Sequence, residues 1–124
     1  MEQDEITFKI IGCAMKVHSI LGNGFQEVIY QRCFAIEMKK IRLEFGREKE
    51  KIIFYDGHEV GTRRVDFVVE NNIIVEIKAV INLEDVHLAQ AKNYLVAYEL
   101  PVGLLINFGA RSLQYKKVFN TRAG

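Results

Sequence analysis

The sequence lacks most of the features that mark specialised protein classes. Its 124 residues contain one Pro and no Trp, and nine Gly are too few for a Pro-rich or Gly-rich linker. No apolar run approaches the roughly 18 residues of a membrane span. The start Met-Glu-Gln-Asp-Glu is acidic, whereas a signal peptide is basic and then apolar. We therefore expect a cytoplasmic protein with no membrane partner.

The chain also lacks an excess of either charge. Seventeen Lys and Arg oppose sixteen Asp and Glu, a formal net charge of +1, which argues against a histone-like binder and against an acidic disordered tail. The two cysteines, Cys13 and Cys33, form no CxxC pair, and the three His are scattered, so free buried thiols are favoured over a zinc site. A hydrophobic fraction of 49% supports one core and a single domain over residues 1–124.

Hydrophobic periodicity predicts an α/β (α+β) fold with the element order α-α-β-β-β-α-β-β and a central mixed β-sheet flanked by helices. Asp4 and Asn82 are the expected N-caps, Gly22 the expected end of the first helix, and Gly61 the expected site of a bulge. The predicted helices are 5–21, 26–41 and 82–99, and the predicted strands are 51–55, 58–70, 73–80, 102–108 and 111–120. The second helix is expected to bury a stripe of Phe25, Ile29, Cys33 and Ile36, widened by Tyr30 and Phe34.

The central hairpin, residues 63–80, carries the most informative pattern. Alternation sets Val65, Phe67 and Val69 on one face of the first strand, with Asp66 on the other. In the second strand Glu76 and Lys78 point together, away from the apolar face of Ile73, Val75, Ile77 and Ala79.

Strand register then tests whether these charged residues meet. A two-residue turn at Asn71-Asn72 would pair Phe67 with Glu76 and mix apolar with charged residues on each face. An odd loop or a bulge removes this conflict, and Asn tolerates the left-handed backbone that a three-residue loop requires. The pattern therefore predicts a cluster of Asp66, Glu76 and Lys78 on one sheet face.

Two carboxylates beside a lysine have a definite chemistry. The carboxylates suit a hard divalent cation, Mg²⁺ or Mn²⁺, which stabilises charge on a phosphoryl oxygen, while the lysine orients or deprotonates a water. The alternative is a solvated face with a cross-strand salt bridge of about 0.2–1 kcal/mol.

These residues and two further blocks resemble a known family. Asp66 followed by Glu76-Ile77-Lys78 resembles the D…(D/E)xK signature of the PD-(D/E)xK nuclease superfamily, with Val65 in place of the family's Pro. Residues 24–30, Gly-Phe-Gln-Glu-Val-Ile-Tyr, are similar to the signature of the GxxExxY protein family within that superfamily. Residues 17–25 and 104–109 resemble its opening and closing blocks, so the resemblance covers nearly the whole chain.

The resemblance implies a restriction-endonuclease-like core and assigns roles to individual residues. Asp66 and Glu76 correspond to metal ligands, Lys78 to the catalytic lysine, and Glu27 to the acid that the first core helix contributes. Glu27 is equally explained as an acid that the helix dipole favours in a first turn. Tyr30, at i+3 from Glu27, either supports the site or simply packs.

The later helix adds three candidates on one stripe, His87, Gln90 and Tyr94. Gln90 and Tyr94 resemble the Q-x-x-x-Y motif found beside the metal site in some of these nucleases, and amide and phenol groups suit a nucleotide. An exposed helix face with a half-buried Tyr is the alternative. Basic residues form either a phosphate-contacting rim or ordinary solvated surface: Lys39, Lys40, Arg42, Arg47, Lys49, Lys51, Arg63, Arg64, Arg111, Lys116, Lys117 and Arg122.

Three functions follow from these patterns. The first is a metal-dependent nuclease that hydrolyses nucleic acid, a DNA- or RNA-binding hydrolase. The second is a catalytically silent module that keeps the fold and binds a protein partner. The third is a homodimer that pairs through an exposed terminal strand.

Overall fold

The computed structural model of the chain describes residues 2–47 and 50–121. Within them lie three helices and seven strands. The helices are α1 (Gln3–Leu21), α2 (Glu27–Lys40) and α3 (Asp85–Tyr98). The strands are β1 (Phe45–Arg47), β2 (Glu50–Tyr55), β3 (His58–Arg64), β4 (Phe67–Val69), β5 (Ile73–Lys78), β6 (Val102–Asn107) and β7 (Gln114–Phe119). No described helix combines the length and the hydropathy that crossing a membrane requires.

The strands form two separate sheets. The main sheet has the order β1-β4-β5-β6-β7, and its β5–β6 pair is parallel while its other pairs are antiparallel. The parallel pair needs a crossover, which α3 supplies. This arrangement confirms the predicted central mixed sheet with flanking helices. The second sheet is the two-stranded ribbon β2–β3, residues 50–64, which we call the arm.

Each face of the main sheet is covered by helices. Phe67, Val75 and Ile77 pack with α1 and α2, whereas Val68 and Ile74 pack with α3. The strict alternation along β4 and β5 therefore sends neighbouring residues to opposite cores. The short buried runs of β4 and β5 are apolar on both sides because both sides are covered.

The loop between β4 and β5 has three residues, as the register argument predicts. Val69 pairs with Ile73 and Phe67 with Val75, which leaves residues 70–72 as the loop. Glu70 and Asn71 both adopt the left-handed conformation, with φ of 52° and 51°. This register continues to bring Asp66 beside Glu76.

The predicted strand 58–70 is wrong, because the chain breaks it at residues 65–66. β3 ends at Arg64 in the arm, and β4 begins at Phe67 in the main sheet. At the break Val65 turns to the α3 core, so it does not share a face with Phe67. The bulge near Gly61 is confirmed, since the pairing shifts between Ile53 and Phe54 opposite that position.

Helix boundaries also differ in detail. Gly22 ends α1 as predicted, but Glu2 rather than Asp4 occupies its N-cap, and Glu84 rather than Asn82 precedes α3. The predicted stripe of α2 is wrong: Ile36 is 54% exposed and Phe25 47%. Tyr30, Phe34 and Met38 are fully buried instead. They lie on one helix face at i, i+4 and i+8, and their large side chains fill more of the core volume.

Both cysteines are free thiols, as predicted. Cys13 is buried, and this burial raises the pKa of its thiol to about 11. Cys33 is only half-buried.

Candidate metal centre

Two reciprocal hydrogen bonds hold Asp66 against Glu76. The backbone N–H of Asp66 donates to Oε1 of Glu76 over 3.0 Å, and the N–H of Ile77 donates to Oδ2 of Asp66 over 2.7 Å. Each carboxylate therefore replaces a ladder bond at the point where the chain enters β4. Glu76 is 5% exposed, and Asp66 is half-buried. The break in the predicted strand is what places these two carboxylates together.

Helix α2 contributes to the same place through Glu27 and Gln31. The side-chain amide of Gln31 donates to Oδ1 of Asp66 over 3.2 Å and contacts Oε2 of Glu27 at 3.5 Å. Gln31 is 9% exposed and links the helix to the sheet. The sequence analysis missed Gln31, although its position at i+4 from Glu27 puts both on one helix face.

The pKa shifts of Glu76 and Glu27 reflect burial and charges on the neighbouring side chains. Burial, and then the charge of Asp66, raise the pKa of Glu76 to about 8, while Lys78 opposes the shift. Burial and Asp66 likewise raise the pKa of Glu27, and Lys78 again opposes. The three acids and the lysine therefore share one electrostatic environment, which we call the acid centre (Glu27, Asp66, Glu76 and Lys78).

The donor set of the acid centre fits a hard cation only in part. Within residues 2–47 and 50–121, no group of three or more His, Cys, Asp or Glu side chains is arranged to hold a metal ion. Asp66 and Glu76 nevertheless present two adjacent carboxylates in a partly dry site. Mg²⁺ is commonly bound by one or two carboxylates and keeps several waters. The pair fits such a cation, and the Gln31 amide that contacts Asp66 also contacts Glu27.

Lys78 stands at the end of β5, where three hydrogen bonds and one glycine fix the backbone. The buried amide of Asn107, paired with Lys78 across the parallel strands, donates to the carbonyl of Val80 over 2.8 Å and accepts from its N–H over 2.9 Å. The carbonyl of Lys78 accepts from Phe108 N–H over 2.9 Å. A Cβ at Gly109 would lie 2.3 Å from the carbonyl oxygen of Val80, so only Gly fits.

Tyr30 is buried and supports the site from a distance. Its hydroxyl donates to the Gly22 carbonyl over 2.6 Å and accepts from Phe25 N–H over 3.2 Å. Its ring stacks on Phe108 with centroids 4.8 Å apart. Tyr30 therefore holds the loop that leads into α2 and sets where Glu27 begins that helix.

The three candidates on α3 are placed differently. Tyr94 is half-buried, and its pKa is raised by burial and then by the charge of Glu76, so it borders the acid centre. Gln90 lies exposed one turn earlier. His87 caps the helix, because its Nδ1 accepts the Glu84 N–H over 2.9 Å in a capping box.

Tyr98 is a further neighbour that the sequence analysis missed. Its hydroxyl donates to the carbonyl of Arg63 over 3.2 Å, at the root of the arm. Burial raises the pKa of Tyr98, and the charge of Glu76 adds to the shift. Its position at i+4 from Tyr94 was the available signal.

The predicted basic rim is partly neutralised by neighbouring acids. Lys40 pairs with Glu37 over 3.0 Å, Arg64 with Glu50 over 3.0 Å, and Lys117 with Asp4 over 3.2 Å. Arg47 lies over the ring of Phe67. Lys49 and Arg122 lie outside the described residues.

Comparison with known proteins agrees with this architecture. No curated protein matches the sequence. A solved structure described as "Crystal structure of SSO0001" matches with a TM-score of 0.64 and 19% identity, over 75% of this chain and 50% of that chain. The chain thus spans half the length of that protein, and the likeness concerns the fold. A family model of the PD-(D/E)XK nuclease superfamily matches residues 4–118. Because this match spans nearly all of the chain, the protein belongs to the PD-(D/E)XK nuclease superfamily.

Proposed function

We propose that this protein is a metal-dependent nuclease that hydrolyses the phosphodiester backbone of nucleic acid. The observation that carries the proposal is the pair of reciprocal hydrogen bonds that hold the carboxylates of Asp66 and Glu76 together at the end of the sheet. These two residues, with Glu27 nearby, would hold Mg²⁺ or Mn²⁺. Superfamily membership supports the same chemistry.

Each residue of the acid centre has a defined task in this mechanism. A bound divalent cation neutralises charge on the phosphoryl oxygens and lowers the pKa of a bound water. Lys78 orients the attacking water or holds the scissile phosphate as a point charge. The Gln31 amide keeps Asp66 in place. Tyr94, which is half-buried beside the acid centre, would offer its ring to a nucleotide base.

The test is cleavage of end-labelled single- and double-stranded DNA and RNA with Mg²⁺, Mn²⁺ or chelator. Glu76→Gln and Lys78→Met should each lower the rate by about 10²–10⁴-fold, the range for a general acid–base group. Glu5→Gln and Lys92→Met, which alter exposed helix residues outside the acid centre and the basic rim, are the matched controls. Cleavage that persists in both site variants would exclude the mechanism.

We also propose membership of the GxxExxY family within the superfamily. Each signature position has a structural reason: Gly24 has a φ of 109°, Tyr30 holds the preceding loop by a hydrogen bond, and Glu27 belongs to the acid centre. Replacing Gly24 with Ala should therefore lower cleavage by displacing Glu27, with a smaller effect than Glu76→Gln. The cytoplasmic location stays a prediction.

A catalytically silent module that binds a protein partner, or a homodimer, is the second candidate. It is favoured by the lack of a ready three-ligand metal group among the described residues and by β7 lying at a sheet edge. Saturating Mg²⁺ or Mn²⁺ that leaves the melting temperature unchanged would favour this candidate. Light scattering tests the dimer, and a monomer at high concentration excludes it.

A further inference from the structure

The arm is an exposed ribbon that the fold itself does little to stabilise. All seven residues of β3 are exposed, and along β2 only Ile53 is half-buried. A two-stranded hairpin is marginally stable in water. A groove between the arm and α3 is lined by residues that include Lys51 and Glu99. The hydroxyl of Tyr98 on α3 donates to the carbonyl of Arg63 near the end of β3.

Two neighbouring cross-strand pairs of the arm differ in charge. Glu50 lies directly opposite Arg64, and their side chains form an ion pair of 3.0 Å. Lys51 lies directly opposite Arg63, so two cations share the next position. Among the described residues, no carboxylate comes within 4 Å of either of these two cations, and like charges directly opposite destabilise a ribbon.

The pair of Lys51 and Arg63 lies at the end of the arm nearest the acid centre, because only Arg64 and Val65 separate Arg63 from Asp66 in the chain. Successive residues of a strand alternate between faces, so this pair points away from the face of Glu50 and Arg64. The charge of Arg63 acts on Tyr94, which is itself within reach of Glu76. Alternation along β2 puts Tyr55, 74% exposed and paired with His58 at the tip, on the same face as Lys51.

This face has the dimensions and chemistry of a track for a nucleic-acid strand. The four residue steps from Lys51 to Tyr55 span about 13 Å at ~3.3 Å per residue. That length corresponds to roughly four base steps of a stacked strand at ~3.4 Å per step. Phosphates would separate and neutralise the two cations, while an exposed tyrosine offers a stacking surface that accepts any base.

We propose that the face of the arm formed by Lys51, Arg63 and Tyr55 binds the sugar-phosphate backbone of a nucleic-acid strand and leads it to the acid centre. The proposal rests on the proposed nuclease function and names the element that holds its substrate. The cation pair is then a binding feature that costs stability in the free protein.

Fluorescence anisotropy tests the binding role of the arm. It is measured with a labelled single-stranded DNA and the matching RNA, in buffer with chelator and over a series of salt concentrations. The double variant K51Q/R63Q should raise the Kd at least tenfold. Its plot of log Kd against log salt should be shallower by about 1.4, since each lost phosphate contact removes ~0.7 from the slope for single strands. Arg64→Gln is the matched control on the opposite face and should change the Kd less than twofold.

Several outcomes would overturn the proposal. The first is that the wild-type protein does not bind nucleic acid at low salt. The second is that Arg64→Gln weakens nucleic-acid binding as much as K51Q/R63Q does. The third is that poly-glutamate competes as effectively as DNA, which would indicate an acidic polypeptide partner. The melting temperature of K51Q/R63Q should stay the same or rise, so that lost affinity does not reflect unfolding. If the cations prove necessary for binding but no substrate is cleaved, the nuclease proposal alone fails. Cleavage that persists with unchanged binding in K51Q/R63Q removes only the role of the arm.

Discussion

The acid centre and the arm hold like charges together by opposite means. In the acid centre, carboxylates sit at the edge of a packed core, where backbone N–H groups and the Gln31 amide fix them. In the arm, Lys51 and Arg63 face each other on an exposed ribbon with few tertiary contacts. Only two residues separate Arg63 from Asp66. A rigid region and an easily deformed one thus meet at the break between β3 and β4.

The largest expected effect comes from adding a Cβ at Gly109, and Gly61 in the arm is the comparison. Gly109→Ala would drive a Cβ to 2.3 Å from a backbone oxygen and should destabilise the protein by about 3 kcal/mol or more. Gly61→Ala, in the arm, adds a Cβ with nothing within 4 Å and should be tolerated. Urea unfolding of both variants measures the contrast. Equal losses would show that the two regions are equally constrained.

A second contrast concerns pH in metal-free buffer with chelator. Because the folded protein holds Glu76 with a pKa of about 8, it binds a proton more tightly than the unfolded chain does. The cost of ionising Glu76 is absent below the unfolded pKa of about 4.3 and complete above pH 8.

Glu76→Gln should therefore match wild-type stability near pH 4 and become increasingly more stable than wild type as the pH rises toward 9. Glu59→Gln, an exposed residue of the arm, serves as the control and should show no such divergence. Denaturant melts across the pH range measure it. Parallel curves for Glu76→Gln and wild type would contradict the buried carboxylate.

The local part of the acid centre was predictable from sequence, because it depends on alternation and loop length. The conflict between Phe67 and Glu76 required an odd loop, and a three-residue loop is present. The signal for Asp66, Glu76 and Lys78 therefore lies within one hairpin. Val65 was wrongly predicted to share a face with Phe67, because the alternation rule assumes one continuous strand. The chain passes from the arm to the main sheet between these two residues.

Non-local parts were not predictable in this way. Asn107 acts through a parallel pairing that crosses α3, and nothing in its own segment indicates that contact. Gln31 contacts Asp66 only because α2 buries the face that carries Tyr30 and Gln31. Apolar residues lie on several sides of α2, so the sequence did not show which face is buried. Tyr98 was missed for a similar reason, since its partner is a backbone carbonyl.

A smaller effect should come from removing the hydrogen bond that joins α3 to the arm. Tyr98→Phe deletes the bond to the Arg63 carbonyl and should cost about 0.5–1.5 kcal/mol. Hydrogen exchange should accelerate at arm amides and stay unchanged in β5 and β6. Tyr115→Phe, at an exposed position on β7, is the control. Equal acceleration in β5 would mean that the arm and the sheet open as one unit.

The smallest expected effect lies within the arm. Glu50→Gln removes an ion pair whose side chains are 50% and 59% exposed, and should cost about 0.2–1 kcal/mol, less at high salt. Lys51→Gln, one residue along, should be neutral or stabilising by a similar amount, since it relieves a like-charge pair. Thermal melts at low and high salt measure both. A loss of stability in Lys51→Gln would mean that an attraction, not a repulsion, acts on that lysine.

Asn107 and Gly109 fix the backbone just beyond β5, and this determines when the acid centre can assemble during protein synthesis. All three acids and Lys78 leave the ribosome before β6, which is the strand that fixes the backbone beyond the lysine. Parallel pairing across a helix is among the slower steps of folding because it closes a long loop. A nascent chain that ends before residue 109 therefore contains Asp66, Glu76 and Lys78, but it lacks the segment that fixes the backbone beyond Lys78. Any hydrolysis that depends on the fixed lysine begins only after this strand has docked.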